Sequence, residues 1–137
     1  MKKPQKERIM GCKTATKEIN VAFPAGYDMS WYVTTQAGNK VTVKLFDDTT
    51  VYFEKSKQGT EAMPPLDYGV SKVKGNNLKV KITVESCSED QIKSAISGHN
   101  IITPSGREVG KGMHIAIEDW TDNDYNDVSI SLLAWKR

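Results

Sequence analysis

Five acidic side chains lie within ten consecutive residues near the end of the 137-residue chain. They are Glu118, Asp119, Asp122, Asp124 and Asp127. Carboxylates this close repel one another, and the next basic residue downstream is Lys136, so a folded run needs a counter-charge. Ca²⁺ takes roughly six to eight oxygen ligands and tolerates irregular geometry, which suits acids that alternate with polar residues. The segment therefore predicts a calcium site.

The spacing does not fit an EF-hand loop. Asp122, Asp124 and Asn126 occupy the first, third and fifth positions of such a loop. Its sixth position would be Asp127, where the turn needs a glycine, and its twelfth would be Leu133, where a bidentate glutamate belongs. The flanking segments also alternate like strands. The EF-hand is excluded.

Charge counting bears on the number of ions. The run carries five negative charges, and the terminal carboxylate of Arg137 adds a sixth if it comes near. One Ca²⁺ leaves most of this charge uncompensated, so two ions that share carboxylates fit better. The alternative is a solvated acidic loop, which is the usual state of a charge cluster. The apolar segments on both sides restrain the carboxylates and argue against that alternative.

Length and charge indicate one soluble domain. A formal charge of +2 is too small to argue for nucleic acid or an anionic membrane, and no apolar run reaches the length of a membrane span. Residues 1–17 are polar and predict an N-terminal extension, with the domain over 18–137. We expect the protein to be cytoplasmic, or exported without a Sec-type signal to the cell surface or the extracellular medium. Whether Cys12 and Cys87 pair is left open.

Alternating apolar residues predict an all-β antiparallel sandwich of about nine strands. The segments 41–45 and 50–55 flank a turn at 47–49 and predict a hairpin, and 69–74 and 78–85 predict a second hairpin around 75–77. Ser88 and Gln91 form a capping-box pattern, so one short helix over 89–97 is a further prediction, with a strand as its alternative. Residues 99–112 are rich in turn formers, and His99 and His114 lack a zinc-site pattern.

The acidic run carries a resemblance to a known family. The string Glu-Asp-x-Thr-Asp-Asn-Asp-Tyr-Asn-Asp over 118–127 resembles the bacterial calcium-mediated lectins that bind fucose and mannose. The ten-residue tail from Val128 to Arg137 has the family's length, and similarity extends back through 41–53 and 23–25. The resemblance implies a nine-stranded β-sandwich in which two adjacent calcium ions hold the sugar directly.

The family pattern also implies roles for individual residues. The implied metal ligands are Glu118, Asp122, Asp124, Asn126 and Asp127, a backbone carbonyl near Thr34, and the C-terminal carboxylate of Arg137, which reaches the site of a partner subunit. Among the implied sugar contacts, Asp119 accepts a hydrogen bond from a hydroxyl, and Thr35 and Gln36 face the sugar. Trp120 replaces a glycine of the family motif and lies where an indole could stack on a sugar. Arg137 replaces a C-terminal glycine, and 34–38 lacks the family's Asn-Ser-Ser-Gly string.

These observations together predict a non-enzymatic, calcium-dependent lectin for fucose- and mannose-type sugars. Its expected partners are glycans or glycoconjugates and a second copy of the chain, in a homodimer or higher oligomer, with no nucleic acid and no membrane insertion. One alternative is a structural or interaction module that calcium stabilises and that binds no sugar. A metal-assisted hydrolase is a third class, but the sequence offers no separate acid or base for it.

Overall fold

The computed structural model describes residues 13–86, 92–118 and 127–136. Nine strands lie in these ranges, and they contain no helix. The strands are β1 (Lys13–Asn20), β2 (Asp28–Thr35), β3 (Lys40–Phe46), β4 (Val51–Lys57), β5 (Asp67–Lys72), β6 (Lys79–Ser86), β7 (Lys93–Ile102), β8 (Glu108–Glu118) and β9 (Val128–Trp135). The prediction of an all-β architecture is confirmed.

The strands form two antiparallel sheets. One has the order β1-β6-β3-β4 and the other the order β5-β2-β9-β8-β7. Side chains alternate between the two faces of each strand, and the apolar set of each sheet points at the other sheet. The shared core includes Met29, Val33, Val43, Ile82, Ile115 and Ile130, all almost completely buried. The chain is therefore a β-sandwich, and no helix in its described part is long and apolar enough to cross a membrane.

A tryptophan and one ion pair join the edge strands β4 and β5. The indole of Trp31 stacks on Phe53 at 5.8 Å between ring centroids, and its Nε1 donates to Asp67 Oδ2 over 2.7 Å. Lys55 Nζ lies 2.8 Å from Asp67 Oδ1. Lys57, two residues further along β4, lies on the same side of the strand as Lys55, the side that faces the other sheet. Charges that point inward from an edge strand protect it from pairing with another chain.

The first hairpin is confirmed and the second is wrong. β3 and β4 pair antiparallel around 47–50, as predicted. By contrast, β5 pairs with β2 while β6 pairs with β1 and β3, so residues 73–78 cross from one sheet to the other. The physical reason is a set of competing bonds: Gly75 N donates to Asp47 Oδ2 over 2.9 Å and Asn76 N donates to Asp48 Oδ1 over 2.9 Å. The turn residues thus bind the β3–β4 turn rather than closing a hairpin of their own.

The structure differs from three other local predictions. The helix over 89–97 is wrong where the structure describes it, because residues 93–97 belong to β7 and pair with 114–118 of β8. That long-range ladder outweighs the local helical pattern. The turn-rich segment 99–112 is instead the β7–β8 hairpin, with its turn at 103–107. Residues 13–17, assigned above to the extension, form the first part of β1. The domain division itself stays a prediction, and Cys12 and Cys87 lie outside the described residues.

Asp47 joins the β3–β4 turn to the crossover segment. Its carboxylate accepts bonds from the backbone nitrogens of Thr49, Thr50 and Gly75 and from the hydroxyl of Tyr52. Burial alone raises the pKa of Asp47, but the bonds from Tyr52, Thr49 and Gly75 outweigh it and lower the pKa to about 2 from 3.8. Burial and the same bond to Asp47 raise the pKa of Tyr52 to about 12.

Because the folded pKa of Asp47 lies below its unfolded value, the ionised carboxylate stabilises the fold above pH 3.8, and this contribution is lost as the pH falls toward 2. Asp47→Asn should lower the free energy of unfolding at neutral pH by about 2 kcal/mol. Urea titrations between pH 7 and pH 2 check this. Asp48→Asn is the matched control, because an amide oxygen still accepts from Asn76. Equal losses in the two variants, or an unchanged acid profile in Asp47→Asn, would contradict the assignment.

Candidate functional site

The two ends of the acidic run meet at one end of the five-stranded sheet. Ile117 pairs with Val128 across β8 and β9, and Thr35 of β2 pairs with Val128 on its other side. Glu118 and Asp127, the next residues outward, therefore leave the sheet side by side. Asp127 N donates to Ile117 O over 3.1 Å. The sheet thus fixes where the segment 119–126 begins and ends.

Backbone hydrogen bonds bring the β2 end to the same place. Gln36 N donates to Asp127 O over 2.9 Å, which extends the β2–β9 ladder by one step beyond Thr35. The predicted sugar-facing residues of the 34–36 segment are therefore neighbours of the acidic run, although more than eighty positions separate them in the sequence. The structure brings together Thr34, Thr35, Gln36, Glu118 and Asp127.

Both described carboxylates of this cluster are buried. Glu118 is 0% exposed and Asp127 is 8% exposed. Alternation along β8 places Glu118 on the same outer side as Ala116 and His114, so it does not point into the apolar core. A carboxylate removed from water needs hydrogen bonds, a cation or both to remain charged. Two buried carboxylates at one strand end are typical of a binding site and not of a solvated loop.

The fold also places a cation beside the acidic run that is distant from it in the sequence. Lys93, the first residue of β7, lies directly across the ladder from Glu118. Side chains at directly opposed positions of antiparallel strands are close neighbours. The charge of the acidic run is therefore set partly by a lysine 25 positions upstream of its first acid.

Thr35 has a buried hydroxyl. Its side chain is 1% exposed and lies on the inner face of the sheet in the same cross-strand row as Val128 and Ile117. Its Oγ1 has no hydrogen-bond partner among the residues that the structure describes. A sugar-facing role for this side chain stays a prediction, and the half-buried Gln36 is the more accessible of the two.

The backbone carbonyls of Thr34 and Thr35 point to opposite sides. Because Gln36 bonds to Asp127, the alternation of an antiparallel ladder turns the polar groups of Thr34 toward β9 and those of Thr35 away from it. The carbonyl of Thr35 accepts instead from Lys57 Nζ over 3.2 Å. Thr34 as a metal ligand stays a prediction, and it would use the second lone pair of its carbonyl oxygen.

The donor atoms at this strand end fit a hard cation. They are the carboxylates of Glu118 and Asp127 and nearby backbone carbonyls, all of them oxygens. Sulfur and imidazole donors, which zinc and copper prefer, are not among them. The set matches Ca²⁺ in chemistry. No group of three histidine, cysteine or acidic side chains forms a metal-binding cluster among the described residues alone.

Several predicted site residues cannot be placed. Asp119, Trp120, Asp122, Asp124, Asn126 and Arg137 lie outside the described residues. Their roles stay predictions.

Lys57, like Lys93, is a residue at this site that the sequence pattern alone does not predict. Its signal is present in β4, where Phe53, Lys55 and Lys57 occupy one side of the strand and only the first is apolar. A lysine on the inward side of a half-buried strand indicates a specific acceptor.

The two histidines are isolated in sequence but not in space. The rings of His99 and His114 stack across β7 and β8 with centroids 6.3 Å apart. His114 Nδ1 lies 3.1 Å from Ser131 Oγ. With no third metal-binding side chain among the described residues beside them, the pair is a surface contact rather than a metal site.

A buried hydroxyl without a partner costs free energy that an isosteric methyl does not. Thr35→Val should therefore raise the free energy of unfolding by about 1 kcal/mol in a chelating buffer. Urea denaturation followed by tryptophan fluorescence measures this change. The matched control is Thr42→Val, which should lose stability because Thr42 Oγ1 lies 2.6 Å from Ser56 Oγ on the outer face of β3. A loss in both variants would mean that the Thr35 hydroxyl has a partner.

The chain is similar to known proteins over the candidate site and most of the fold. The family model described as fucose-binding lectin II (PA-IIL) matches residues 21–137. The comparison with curated proteins finds no match.

Three solved structures are similar in fold. The Chromobacterium violaceum lectin CV2L in complex with alpha-methyl-fucoside has 23% identity and a TM-score of 0.58, and the match covers 81% of this chain and 90% of that one. The Ralstonia solanacearum high-affinity mannose-binding lectin has 22% identity and a TM-score of 0.59, with the same coverage. The C-terminal domain of the Burkholderia cenocepacia lectin BC2L-C has 20% identity and a TM-score of 0.57, covering 89% and 96%.

Proposed function

We propose that this chain, which belongs to the fucose-binding lectin II (PA-IIL) family, is a non-catalytic lectin that binds fucose- or mannose-type monosaccharides through two calcium ions. The observation that carries the proposal is the burial of Glu118 and Asp127 side by side at the end of β8 and β9. These residues begin and end the acidic run, and the family match spans the whole run. Of the similar structures, one is a lectin in complex with alpha-methyl-fucoside and another is described as a high-affinity mannose-binding lectin.

The proposed calcium ligands come from three places in the chain. They are Glu118, Asp122, Asp124, Asn126 and Asp127 of the acidic run, the carbonyl of Thr34, and the terminal carboxylate of Arg137 from a second copy. Asp119, Gln36, Thr35 and Trp120 are the proposed sugar contacts. Of these residues, the ones that the structure describes all lie at the joint end of β2, β9 and β8.

Sugar recognition at such a site needs no proton transfer. Bound calcium supplies positions for the neutral oxygens of vicinal sugar hydroxyls. Asp119 would orient the sugar by accepting a charge-assisted hydrogen bond from a hydroxyl. Gln36, anchored through its backbone to Asp127, would present its side-chain amide at the rim. The protein groups bind and orient the ligand, so the expected outcome is binding without turnover.

The charge balance supports two ions. The five carboxylates of the run and the terminal carboxylate of Arg137 from a second copy carry six negative charges, of which the cross-strand neighbour Lys93 offsets one (six minus one leaves five). Two calcium ions supply four positive charges and leave one negative charge. One ion would leave three carboxylates without a counter-charge, which is costly.

Isothermal titration with methyl α-fucoside and with mannose tests the function. We expect binding in calcium, loss of binding in EDTA, and recovery when calcium is restored, with two calcium ions bound per chain. Calcium should also raise the melting temperature, because an ion that binds only the folded state stabilises it. Equal sugar binding in EDTA would refute the mechanism. A calcium-dependent melting temperature with no response to any sugar would favour the structural module instead.

The two ends of β8 provide a matched pair of substitutions. Glu118→Gln removes a buried carboxylate from the proposed site. Glu108→Gln removes a partly exposed carboxylate from the opposite end of the same strand, where Glu108 pairs with Lys111 over 2.8 Å. We expect Glu118→Gln to weaken calcium binding at least about tenfold, since a calcium site depends on the number of charged ligands. Glu108→Gln should leave the calcium affinity unchanged. Similar calcium affinities in the two variants would exclude Glu118 as a ligand.

We further propose that the lectin acts as a homodimer, in which linked sites raise avidity for multivalent glycans. Sedimentation equilibrium in calcium should give twice the mass of one chain. A monomeric mass at micromolar concentration would exclude the role assigned to Arg137.

A further inference from the structure

Lys57 Nζ lies within hydrogen-bond distance of four backbone carbonyl oxygens, which share its three protons. Its Nζ lies 2.8 Å from Glu61 O, 2.9 Å from Pro64 O, 3.2 Å from Thr35 O and 3.4 Å from Ala62 O. An ammonium has three protons, and hydrogen bonds from a charged donor are about twice as strong as neutral ones. One side chain therefore ties the end of β2 to the connection between β4 and β5.

The bond to Thr35 matters because of what lies on the other side of the same peptide group. The Thr35 carbonyl accepts from Lys57 Nζ, and the adjoining Gln36 N–H donates to Asp127 O over 2.9 Å. The chain of bonds runs from the lysine through one peptide plane to the last residue of the acidic run. Bonds in such a chain polarise and strengthen each other. Fixing both ends of the peptide plane fixes its rotation, and with it the direction in which Gln36 leaves the strand.

The β4–β5 connection also covers the rest of the 36–38 loop. Gly59 N donates to Ala37 O over 2.9 Å, and Gln58 Nε2 donates to Gly38 O over 3.0 Å. Ala37 is almost completely buried beneath this connection. Lys57, Gln58 and Gly59 are consecutive, so the residue that binds Thr35 begins the segment that holds the loop in place.

We propose that Lys57 is a positioning residue for sugar recognition: it orders the 35–38 loop and the Asp127 end of the acidic run without touching the sugar. This inference rests on the proposed lectin function of the same site. Removal of the ammonium releases the Thr35 carbonyl and loosens the Gln36–Asp127 bond. Affinity for the sugar then falls because the loop must be ordered during binding, which costs conformational entropy.

Lys57→Met tests this role, because methionine keeps an unbranched side chain and removes the ammonium. Lys55→Met is the matched control, since Lys55 lies two residues earlier on the same side of β4 and pairs with Asp67 instead of the loop. We expect Lys57→Met to weaken methyl α-fucoside binding in calcium about tenfold and Lys55→Met to change it less than about twofold. Lys57→Arg, which keeps the charge, should lose less affinity than Lys57→Met.

Amide hydrogen exchange of Gln36 and Gly59 provides a second measurement that needs no sugar. Both amides should exchange about tenfold faster in Lys57→Met and at the wild-type rate in Lys55→Met. Unchanged sugar affinity in Lys57→Met, or an equal loss in Lys55→Met, would overturn the proposal. If the wild-type protein binds no sugar in calcium, the lectin function fails, and the exchange rates alone decide whether Lys57 orders the loop.

Discussion

The hydrogen-bonded alignment of β2, β9 and β8 at one end of the sheet is the constraint on which the site depends. Val128 is the shared residue: it pairs with Thr35 on one side and with Ile117 on the other. This register fixes Gln36, Asp127 and Glu118 as successive neighbours across three strands. A shift by one residue in either ladder would move the acids to different faces, because side chains alternate along a strand. The position of the acidic run is thus determined by apolar pairing in the core.

Much of the fold can be predicted from the sequence because half-buried strands carry an alternating pattern. The segments 41–45 and 128–132 alternate apolar and polar residues, and both are strands. The errors occur where distant residues decide the local structure. The turn formers at 75–77 are bound by the carboxylates of Asp47 and Asp48, 28 positions away, and 93–97 become a strand because β8 lies beside them. Patterns within a short window contain no information about such partners.

The same distinction holds for the site. The acidic run can be recognised from spacing alone, and the match to one lectin family extends over residues 21–137. The contribution of Lys93 and Lys57 depends on strand order, which places one opposite Glu118 and the other beside the Thr35 carbonyl. Two lysines with ordinary sequence surroundings therefore acquire defined roles only in the folded chain. Burial of Thr35 is a similar case, because a threonine at a strand end is equally compatible with an exposed position.

The Asp47 cluster lies at the opposite end of the sandwich from the acidic run, since β3 begins beside the site and ends at Asp47. The polar anchor around Asp47 and the proposed binding surface are thus separated by the full length of a strand. Residues around the proposed binding surface can vary in evolution without weakening the anchor, so the binding specificity can diverge while the scaffold is conserved. The arrangement also makes the chain a suitable scaffold for directed evolution, in which libraries confined to 34–38 and 119–126 would sample new sugars on an unaltered framework.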